Sequence, residues 1–181
     1  MVKALEQNLI HRCRQGDPDS FGHLIKLYRK QLYGYLFRLL GNTVHAEEAM
    51  QETLIKVWKG IKKYNEEQKF ASWLFTIAHN CAMDFLRIKK HDSQVTEEDP
   101  DNLPGYENPA RQIEKEELKI MIAKTVETLP VQQKEVFLLR IEGDFSFKEI
   151  AQIMGSPLNT VLSHMNYAVK KIRKRVMYES L

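Results

Sequence analysis

The chain has 181 residues, of which 43% are hydrophobic and 28% are charged, and its net charge at pH 7 is +3. These proportions are typical of a soluble globular protein, so they exclude a largely disordered chain and a membrane-embedded one. The N-terminal residues lack the apolar core of a signal peptide, and Arg38 interrupts the longest apolar run, at about residues 32–40. We therefore expect a cytoplasmic protein with no membrane insertion.

Apolar residues recur at helical spacing along most of the chain. The pattern runs from about Leu5 to Lys90, with turn signals at residues 16–20 and 41–43, and it resumes near Ala110. The alternation of apolar and polar residues that is typical of strands is absent. The sequence therefore predicts an all-α fold.

A stretch of different composition separates the two helical parts. Residues 92–109 contain three prolines, a glycine and six acidic residues, but no Lys or Arg, which is typical of an extended linker. Because this stretch contributes −6 to the net charge of +3, the rest of the chain carries +9, which favours an anionic partner. We predict two helical domains, residues 1–91 and 113–181, joined by a flexible acidic linker at residues 92–112. Fully extended, such a linker reaches about 70 Å.

The segment from His45 to Lys59 predicts an acidic helix with two distinct sides. One side carries an apolar stripe that would be buried, formed by Ala46, Met50, Leu54, Val57 and Ile61. The other side places Ile55 among polar and charged residues, which are Glu48, Gln51, Glu52 and Lys59. An exposed isoleucine in these surroundings suits docking to a basic partner helix, because the apolar centre gives affinity and the charged rim gives orientation. A simple solvated acidic face is the alternative.

Residues 69–90 predict a second amphipathic helix, which ends in basic residues. Its apolar stripe would face a core and consists of Phe70, Trp73, Leu74, Ile77, Cys81, Phe85 and Ile88. A neighbouring edge carries Thr76, Asn80, Asp84 and Arg87, because residues three and four apart stack on one face of a helix. A polar edge beside aromatic rings suits a surface that contacts unpaired bases and a phosphate backbone. The alternative is an ordinary core helix with a solvated edge.

The segment from residue 144 to residue 175 predicts a helix-turn-helix. Ser146 followed by Glu149 is a capping-box start, and Gly155 suits the left-handed position that ends a short helix. A longer helix from Leu158 would pack through Val161, Met165, Ala168 and Ile172. Short polar side chains at the start of such a helix reach base edges in a major groove, and basic residues at its end neutralise phosphates. Those basic residues are Lys170, Lys171, Arg173, Lys174 and Arg175. The alternative is a small helical bundle with a solvated lysine-rich tail.

Taken in order, these parts resemble an extracytoplasmic function (ECF) sigma factor, the compact bacterial class that has only regions two and four. The resemblance spans nearly the whole chain. It implies a subunit that binds core RNA polymerase, recognises promoter DNA, melts the −10 element and initiates transcription. Residues 1–91 would be region two and residues 113–181 region four.

Two other functions fit part of the sequence. The helix-turn-helix alone is also similar to the output domain of LuxR-type transcriptional regulators, which would bind duplex operator DNA without polymerase. However, the first ninety residues lack the alternating strands and helices of a receiver domain. A pure interaction module, based on the exposed Ile55, is the third possibility.

The resemblance to ECF sigma factors implies three sets of contact residues. Contacts with the beta-prime clamp helices of the polymerase would come from Glu48, Gln51, Glu52, Ile55 and Lys59. Contacts with the −10 element would come from Tyr64, Asn65, Lys69, Phe70, Trp73, Thr76, Asn80, Asp84, Arg87 and Lys90. Contacts with the −35 element would come from Asn159, Thr160, Ser163, His164, Asn166, Tyr167, Lys170, Lys171 and Lys174. The other side of this last domain would pack on the beta flap, and the linker would follow the RNA exit path.

The sequence departs from the family pattern at a few of these positions. Many relatives carry arginine where this chain has Leu162 and His164, and some carry a basic residue where it has Thr76. We therefore expect the −35 contacts to depend more on Asn159, Ser163, Asn166 and Tyr167, with phosphate binding shifted to the lysine-rich end.

Nothing in the sequence indicates an enzyme, a cofactor or a metal site. The six histidines are scattered without a metal-ligand spacing, and no Gly-rich phosphate loop is present. Cys13 and Cys81 lie within helical patterns, so we expect buried free thiols. The resemblance further implies inhibition by a separate anti-sigma factor, because the chain is too short to contain one.

Overall fold

The computed structural model describes residues 2–65, 67, 69–91 and 109–179, and in these residues it has helices and connecting turns but no strand. This confirms the predicted all-α fold. Residues 92–108, which hold most of the predicted linker, lie outside the described residues. The first helix after them begins at Pro109, where proline suits a first helical turn because it has no N–H to leave unpaired.

In the described residues, the first domain is a bundle of five α-helices with clear start and stop signals. Asp17 caps the second helix by accepting hydrogen bonds from the backbone N–H groups of Asp19 and Ser20. Gly41, with φ of 66°, ends the third helix in the left-handed conformation, and the Asn42 side chain caps the fourth. Both predicted turns are therefore confirmed. The elements are α1 (Val2–Arg14), α2 (Pro18–Lys26), α3 (Arg29–Leu40), α4 (Thr43–Gly60), a 3₁₀ turn (Ile61–Lys63) and α5 (Phe70–His91).

The core of the first domain lies between α3, α4 and α5. The predicted stripe of α4 is confirmed, since four of its members are buried and Leu54 is half-buried. The predicted stripe of α5 is confirmed at Leu74 and Cys81 but is wrong at Ile88, which is 65% exposed. At 22 residues, α5 is longer than α3 and α4, which have 12 and 18. Ile88 lies in the last turn of α5, where its side chain is left largely in solvent.

The second domain consists of α6 (Pro109–Glu127), α7 (Val131–Ile141), α8 (Phe147–Ile153) and α9 (Leu158–Glu179). The predicted capping box is present at the start of α8, where Ser146 and Glu149 bond each other's backbone and side chain. Gly155, with φ of 59°, forms the turn into α9. The helix α9 packs on α6, α7 and α8, which confirms a helix-turn-helix supported by two further helices.

The two domains pack against each other, which the sequence did not predict. The helix α3 contacts α7, and α5 contacts α8. The rings of Phe75 and Phe145 meet edge to face across this boundary with their centroids 4.9 Å apart. Buried apolar residues of the two domains consequently form one continuous core.

Candidate nucleic-acid interface

The exposed face of α4 presents one apolar side chain among polar ones. Ile55 is 47% exposed, and the four residues predicted around it are also exposed. Lys56, beside it, forms an ion pair of 3.4 Å with Glu52 one turn earlier. The Ile55 patch is defined here as Glu48, Gln51, Glu52, Ile55 and Lys59. Because the opposite face of α4 is buried in the core, this patch is fixed in orientation.

Two of the predicted −10 contacts, Tyr64 and Phe70, are core residues in this structure and are not available to DNA on the surface. Their rings meet edge to face at 5.6 Å, and Tyr64 also lies 5.0 Å from the ring of Trp73. Burying such large rings removes much apolar surface from water. The guanidinium of Arg14, on α1, donates a hydrogen bond to the carbonyl of Tyr64. Tyr64 and Phe70 therefore pack against the half-buried Trp73 from the core side.

The polar edge of α5 lies beside Trp73. Asn80, Asp84 and Arg87 are exposed, whereas Thr76 is half-buried and its hydroxyl donates to the Ser72 carbonyl at 2.8 Å. Arg87 pairs with Asp84 at 3.0 Å, which aligns a cation along the helix. The α5 edge is defined here as Thr76, Asn80, Asp84 and Arg87. The side chain of Lys90 lies outside the described residues.

Lys69 and His79, at the two sides of this region, contact the second domain. The ammonium of Lys69 lies 2.8 Å from the carboxylate of Glu149. The Nδ1 atom of His79 contacts the carboxylate of Glu135. Asn65 is exposed and bonds Glu67 within the loop. Lys69 is thus occupied by a protein carboxylate in this conformation, while Asn65 faces solvent.

The helix α9 separates its packed and exposed faces as predicted. Val161 and Ala168 are buried and Met165 is half-buried, whereas Tyr167 on the opposite face is 62% exposed. The hydroxyl of Ser163 donates to the carbonyl of Asn159. The other predicted −35 contacts are exposed except for the half-buried His164, and they are Thr160, Asn166, Lys170, Lys171 and Lys174.

A basic cleft of about 480 Å³ opens between α6 and the second half of α9. Lys171, on its wall, donates a hydrogen bond of 2.6 Å to the backbone carbonyl of Thr128. Lys124 on α6 was missed by sequence reasoning, because nothing local relates it to residues almost fifty positions later. The cleft is lined by Met121, Lys124, Thr125, Thr128, Lys171, Lys174 and Arg175. Four cations on one cleft attract an anionic partner.

The structure offers little for other chemistry in the described residues. Cys13 and Cys81 are buried free thiols, as predicted, and burial, reinforced by the nearby Asp17, raises the pKa of Cys13. Within the described ranges, no three His, Cys, Asp or Glu side chains are grouped so as to hold a metal ion. In the same residues, no helix combines the length and apolar character that crossing a membrane requires.

Two models of one protein family match the chain, in the same order as the two helical domains. Sigma-70 region 2 matches residues 24–91, and Sigma-70, region 4 matches residues 119–172. The chain is 28% identical over 176 residues to the ECF RNA polymerase sigma factor SigW of Bacillus subtilis, covering 92% of this chain and 94% of SigW. It is also 28% identical over 183 residues to the RNA polymerase sigma-H factor of Pseudomonas aeruginosa, covering 96% and 95%.

Solved structures share this fold. The structure of CnrH in complex with the cytosolic domain of CnrY has a TM-score of 0.69 at 19% identity and covers 96% of this chain and 98% of CnrH. The sigma factor RpoE in complex with the anti-sigma factor NepR, from Bartonella quintana, has a TM-score of 0.72 at 22% identity, covering 87% and 96%. The chain belongs to the sigma-70 family of transcription initiation factors. Within that family it is an ECF sigma factor, which binds core RNA polymerase and directs transcription initiation at promoters. The LuxR-type alternative is not favoured.

Proposed function

We propose that three exposed faces of this sigma factor each contact a different partner. The Ile55 patch docks on the beta-prime clamp helices of core polymerase. The α5 edge, with Trp73, holds the separated non-template strand of the −10 element. The polar face of α9 contacts the −35 element as duplex DNA, and the rest of its domain packs on the beta flap. Residues 1–91 thus act as region two and residues 113–181 as region four.

One observation carries this proposal: each of the three helices buries an apolar stripe and leaves a different polar face in solvent. The Ile55 patch combines an apolar centre with a charged rim, as protein interfaces do. The start of α9 presents short polar side chains that fit a major groove. The basic cleft beside the second half of α9 favours phosphate contacts, which give affinity without sequence preference.

The α5 edge has the chemistry that a melted strand needs. Taking a base out of the stack costs a few kcal/mol, so its binding site must return stacking and hydrogen bonds of comparable size. The ring of Trp73 provides a stacking surface, and the buried rings of Tyr64 and Phe70 pack against it from the core side. The exposed amide of Asn80 provides both a donor and an acceptor.

Three further points follow from this assignment. The protein catalyses no covalent reaction itself, since the polymerase supplies the chemistry. It acts in the cytoplasm, where the polymerase transcribes. A separate anti-sigma factor controls it, a proposal supported by the structures of the same fold that were solved as complexes with CnrY and NepR.

Reconstitution with core polymerase tests the proposal. The protein is added to core polymerase on fragmented genomic DNA, and the transcript 5′ ends are sequenced. We expect start sites that share two sequence elements at a fixed spacing, and a footprint that depends on polymerase. Tight binding of an operator by the protein alone, with no selection of start sites, would instead indicate a free-standing regulator.

A further inference from the structure

The basic cleft between α6 and α9 is formed by one face of each helix. Residues three and four positions apart lie on the same side of a helix. The α6 wall consists of Met121, Lys124, Thr125 and Thr128, and the α9 wall consists of Lys171, Lys174 and Arg175. The volume of about 480 Å³ falls within the range of about 300–1,000 Å³ that is usual for small-molecule sites. The cleft is therefore large enough for a small ligand.

The cleft lies to one side of the α9 face that is proposed to read the −35 element. That face carries, at spacings of three and four, Asn159, Ser163, Asn166 and Lys170. Each residue of an α-helix adds about 100° of rotation, so Lys171 and Arg175 point about 100° and 140° away from Lys170. They also lie about 18 and 24 Å beyond Asn159 along the helix, at about 1.5 Å per residue. The start of α9 can therefore read a major groove while the cleft holds a different group.

The net charge at the cleft is positive. Among the described residues that line it, four are cations and none is acidic. The C-terminal end of α6 carries a partial negative charge, which by itself repels anions. Lys171 offsets it by donating a hydrogen bond of 2.6 Å to the carbonyl of Thr128. The neighbouring carboxylate of Glu127 pairs with Lys134 on α7 at 2.5 Å. An anion in the cleft therefore meets mainly cations.

The donors of the cleft suit linked phosphate groups. The hydroxyls of Thr125 and Thr128 donate to the carbonyls of Met121 and Thr125, both at 2.8 Å, so the cations supply the donors for a ligand. An ammonium has three donors, and after its bond to Thr128 the ammonium of Lys171 has two for a ligand. Arginine binds phosphate through two parallel hydrogen bonds.

Among anions, an oligophosphate fits four cations in this volume best. A carboxylate brings one negative charge, and a DNA strand brings one per nucleotide. Linked phosphates concentrate several charges in a shorter length, and a terminal phosphate alone carries about −1.5 to −2 at pH 7.

We propose that the basic cleft binds an oligophosphate group, and that the bound group weakens the contact between α9 and promoter DNA. The second part rests on the proposed function, which assigns Lys171 and Lys174 to the −35 element. Cations that are engaged by a free oligophosphate no longer neutralise DNA phosphates, so the affinity for the promoter falls. Because phosphate contacts carry no base information, the loss is the same for every −35 sequence.

Titration calorimetry of the full chain with sodium tripolyphosphate, at constant ionic strength, tests the site. We expect saturable binding at one site. Lys124→Ala removes a cation from the α6 wall and Arg175→Ala removes one from the α9 wall, and each should weaken binding by about fivefold or more. Lys30→Ala is the matched control, since it removes an exposed lysine of α3 outside the cleft and should bind like the wild type. If circular dichroism shows that one variant loses helix, the variant on the other wall decides the test.

Three further solutes identify the part of the ligand that is recognised. Equal affinity for ATP and tripolyphosphate would assign the phosphate chain alone. Tighter binding of ATP, with no binding of adenosine, would assign a nucleotide whose base packs on Met121 and the lysine stems. Sodium sulfate at the same ionic strength should not displace tripolyphosphate. Equal displacement by sulfate would show general attraction of anions and would overturn the site.

The promoter complex tests the competition. The complex of the protein, core polymerase and promoter DNA is measured at increasing tripolyphosphate concentration. The wild type should lose complex, and the fractional loss should be smaller in Lys124→Ala. Because the polymerase is the same in both titrations, its own response to the anion cancels. Equal fractional losses would overturn the competition.

The outcomes separate the oligophosphate site from the proposed function. Absence of saturable binding, or binding unchanged by both Lys124→Ala and Arg175→Ala, would overturn the site even where reconstitution gives promoter-specific transcripts. Binding that depends on both walls of the cleft, in a protein that selects no start sites, would overturn the proposed function and support the site.

Discussion

Lys69 and Glu149 are 80 positions apart in the sequence, yet the ammonium of one lies 2.8 Å from the carboxylate of the other. The same carboxylate accepts hydrogen bonds of 2.8 and 2.7 Å from the backbone N–H and the hydroxyl of Ser146. Burial raises the pKa of Glu149, but the bonds from Lys69 and Ser146 outweigh it and lower the pKa to about 2. One side chain therefore both caps α8 and joins it to the residue before α5.

This arrangement predicts a loss of stability in acid. Because the folded state lowers the pKa of Glu149 below its ordinary value of 4.5, its contribution is complete above about pH 4.5 and disappears as the pH falls towards 2. The unfolding free energies of the wild type and Glu149→Gln, measured with urea, should therefore differ by the same amount at pH 6 and pH 8. The difference should be smaller at pH 3. In Lys69→Met the folded-state pKa of Glu149 is lowered less, so the loss should be smaller and should be complete at a higher pH. A difference that is unchanged at pH 3 would contradict this account.

The Ile55 patch predicts that core binding depends on one apolar side chain of α4. Ile55→Asp should weaken binding to core polymerase by about tenfold or more, as loss of a central apolar anchor does. Val44→Asp is the matched control, because Val44 is also exposed on α4, at 57% against 47%, but lies outside the patch. Both variants should keep the wild-type unfolding free energy within about 0.5 kcal/mol. Equal weakening by the two changes, in a competition titration with core polymerase, would refute the assignment.

Docking also depends on the sign of the charge around Ile55. Glu52→Lys with Gln51→Arg turns the rim basic, so it should repel a basic partner helix and abolish co-purification with core polymerase. The double variant should remain folded, because both residues are exposed. Retained co-purification would exclude this face as the docking site.

The α5 edge predicts a defect in promoter melting without a defect in folding. Asn80→Ala removes an exposed amide, so the free energy of unfolding should stay within about 0.5 kcal/mol of the wild-type value. Discrimination between bases at one −10 position should fall by about 1–3 kcal/mol. Permanganate reactivity of unpaired thymines in the polymerase–promoter complex measures the effect. Asn8→Ala, an exposed asparagine of α1, is the control and should melt the promoter normally. Normal melting by Asn80→Ala on every −10 variant would remove Asn80 from the site.

Lys170 and Lys171 are neighbours on α9 that should behave differently. Both are exposed, and loss of one phosphate contact should reduce the slope of log affinity against log salt by about 1. Lys171 also bonds the Thr128 carbonyl, so Lys171→Ala should lower stability as well, whereas Lys170→Ala should not. DNA titrations at several salt concentrations and urea unfolding separate the two effects. A slope unaffected by Lys170→Ala would show that it makes no phosphate contact.

Local signals in the sequence predicted much of the fold. The capping box at Ser146, the left-handed Gly155 and the buried stripe of α4 each depend on residues within a few positions of one another. Helical spacing likewise predicted which side of α9 is exposed. It did not predict that Ile88 is exposed, because periodicity identifies the apolar side of a helix but not where its neighbours end.

The contacts between the domains had no such signal. Glu135 lies on α7 among buried residues, and its partner Tyr35 is 100 positions away. A charged residue in an apolar stripe is usually assigned to solvent, so the sequence did not predict the burial of Glu135. The same limit explains why Tyr64 and Phe70 were predicted to contact the −10 element although they are buried. Their aromatic character suited a DNA surface as well as a core. Only the packed structure distinguishes these two roles.

The turn of the helix-turn-helix predicts opposite effects of the same substitution at two glycines. Neither Gly155 nor Gly22 has another atom within 4 Å of the position that a Cβ would occupy. Gly155 has φ of 59°, so Gly155→Ala should destabilise the protein by about 1–2 kcal/mol. Gly22 lies inside α2 with ordinary helical geometry, so Gly22→Ala should stabilise it by about 0.5–1 kcal/mol. Urea unfolding of both variants measures the difference. Since both sites are open, effects of the same sign would contradict the backbone strain assigned to alanine at the left-handed Gly155.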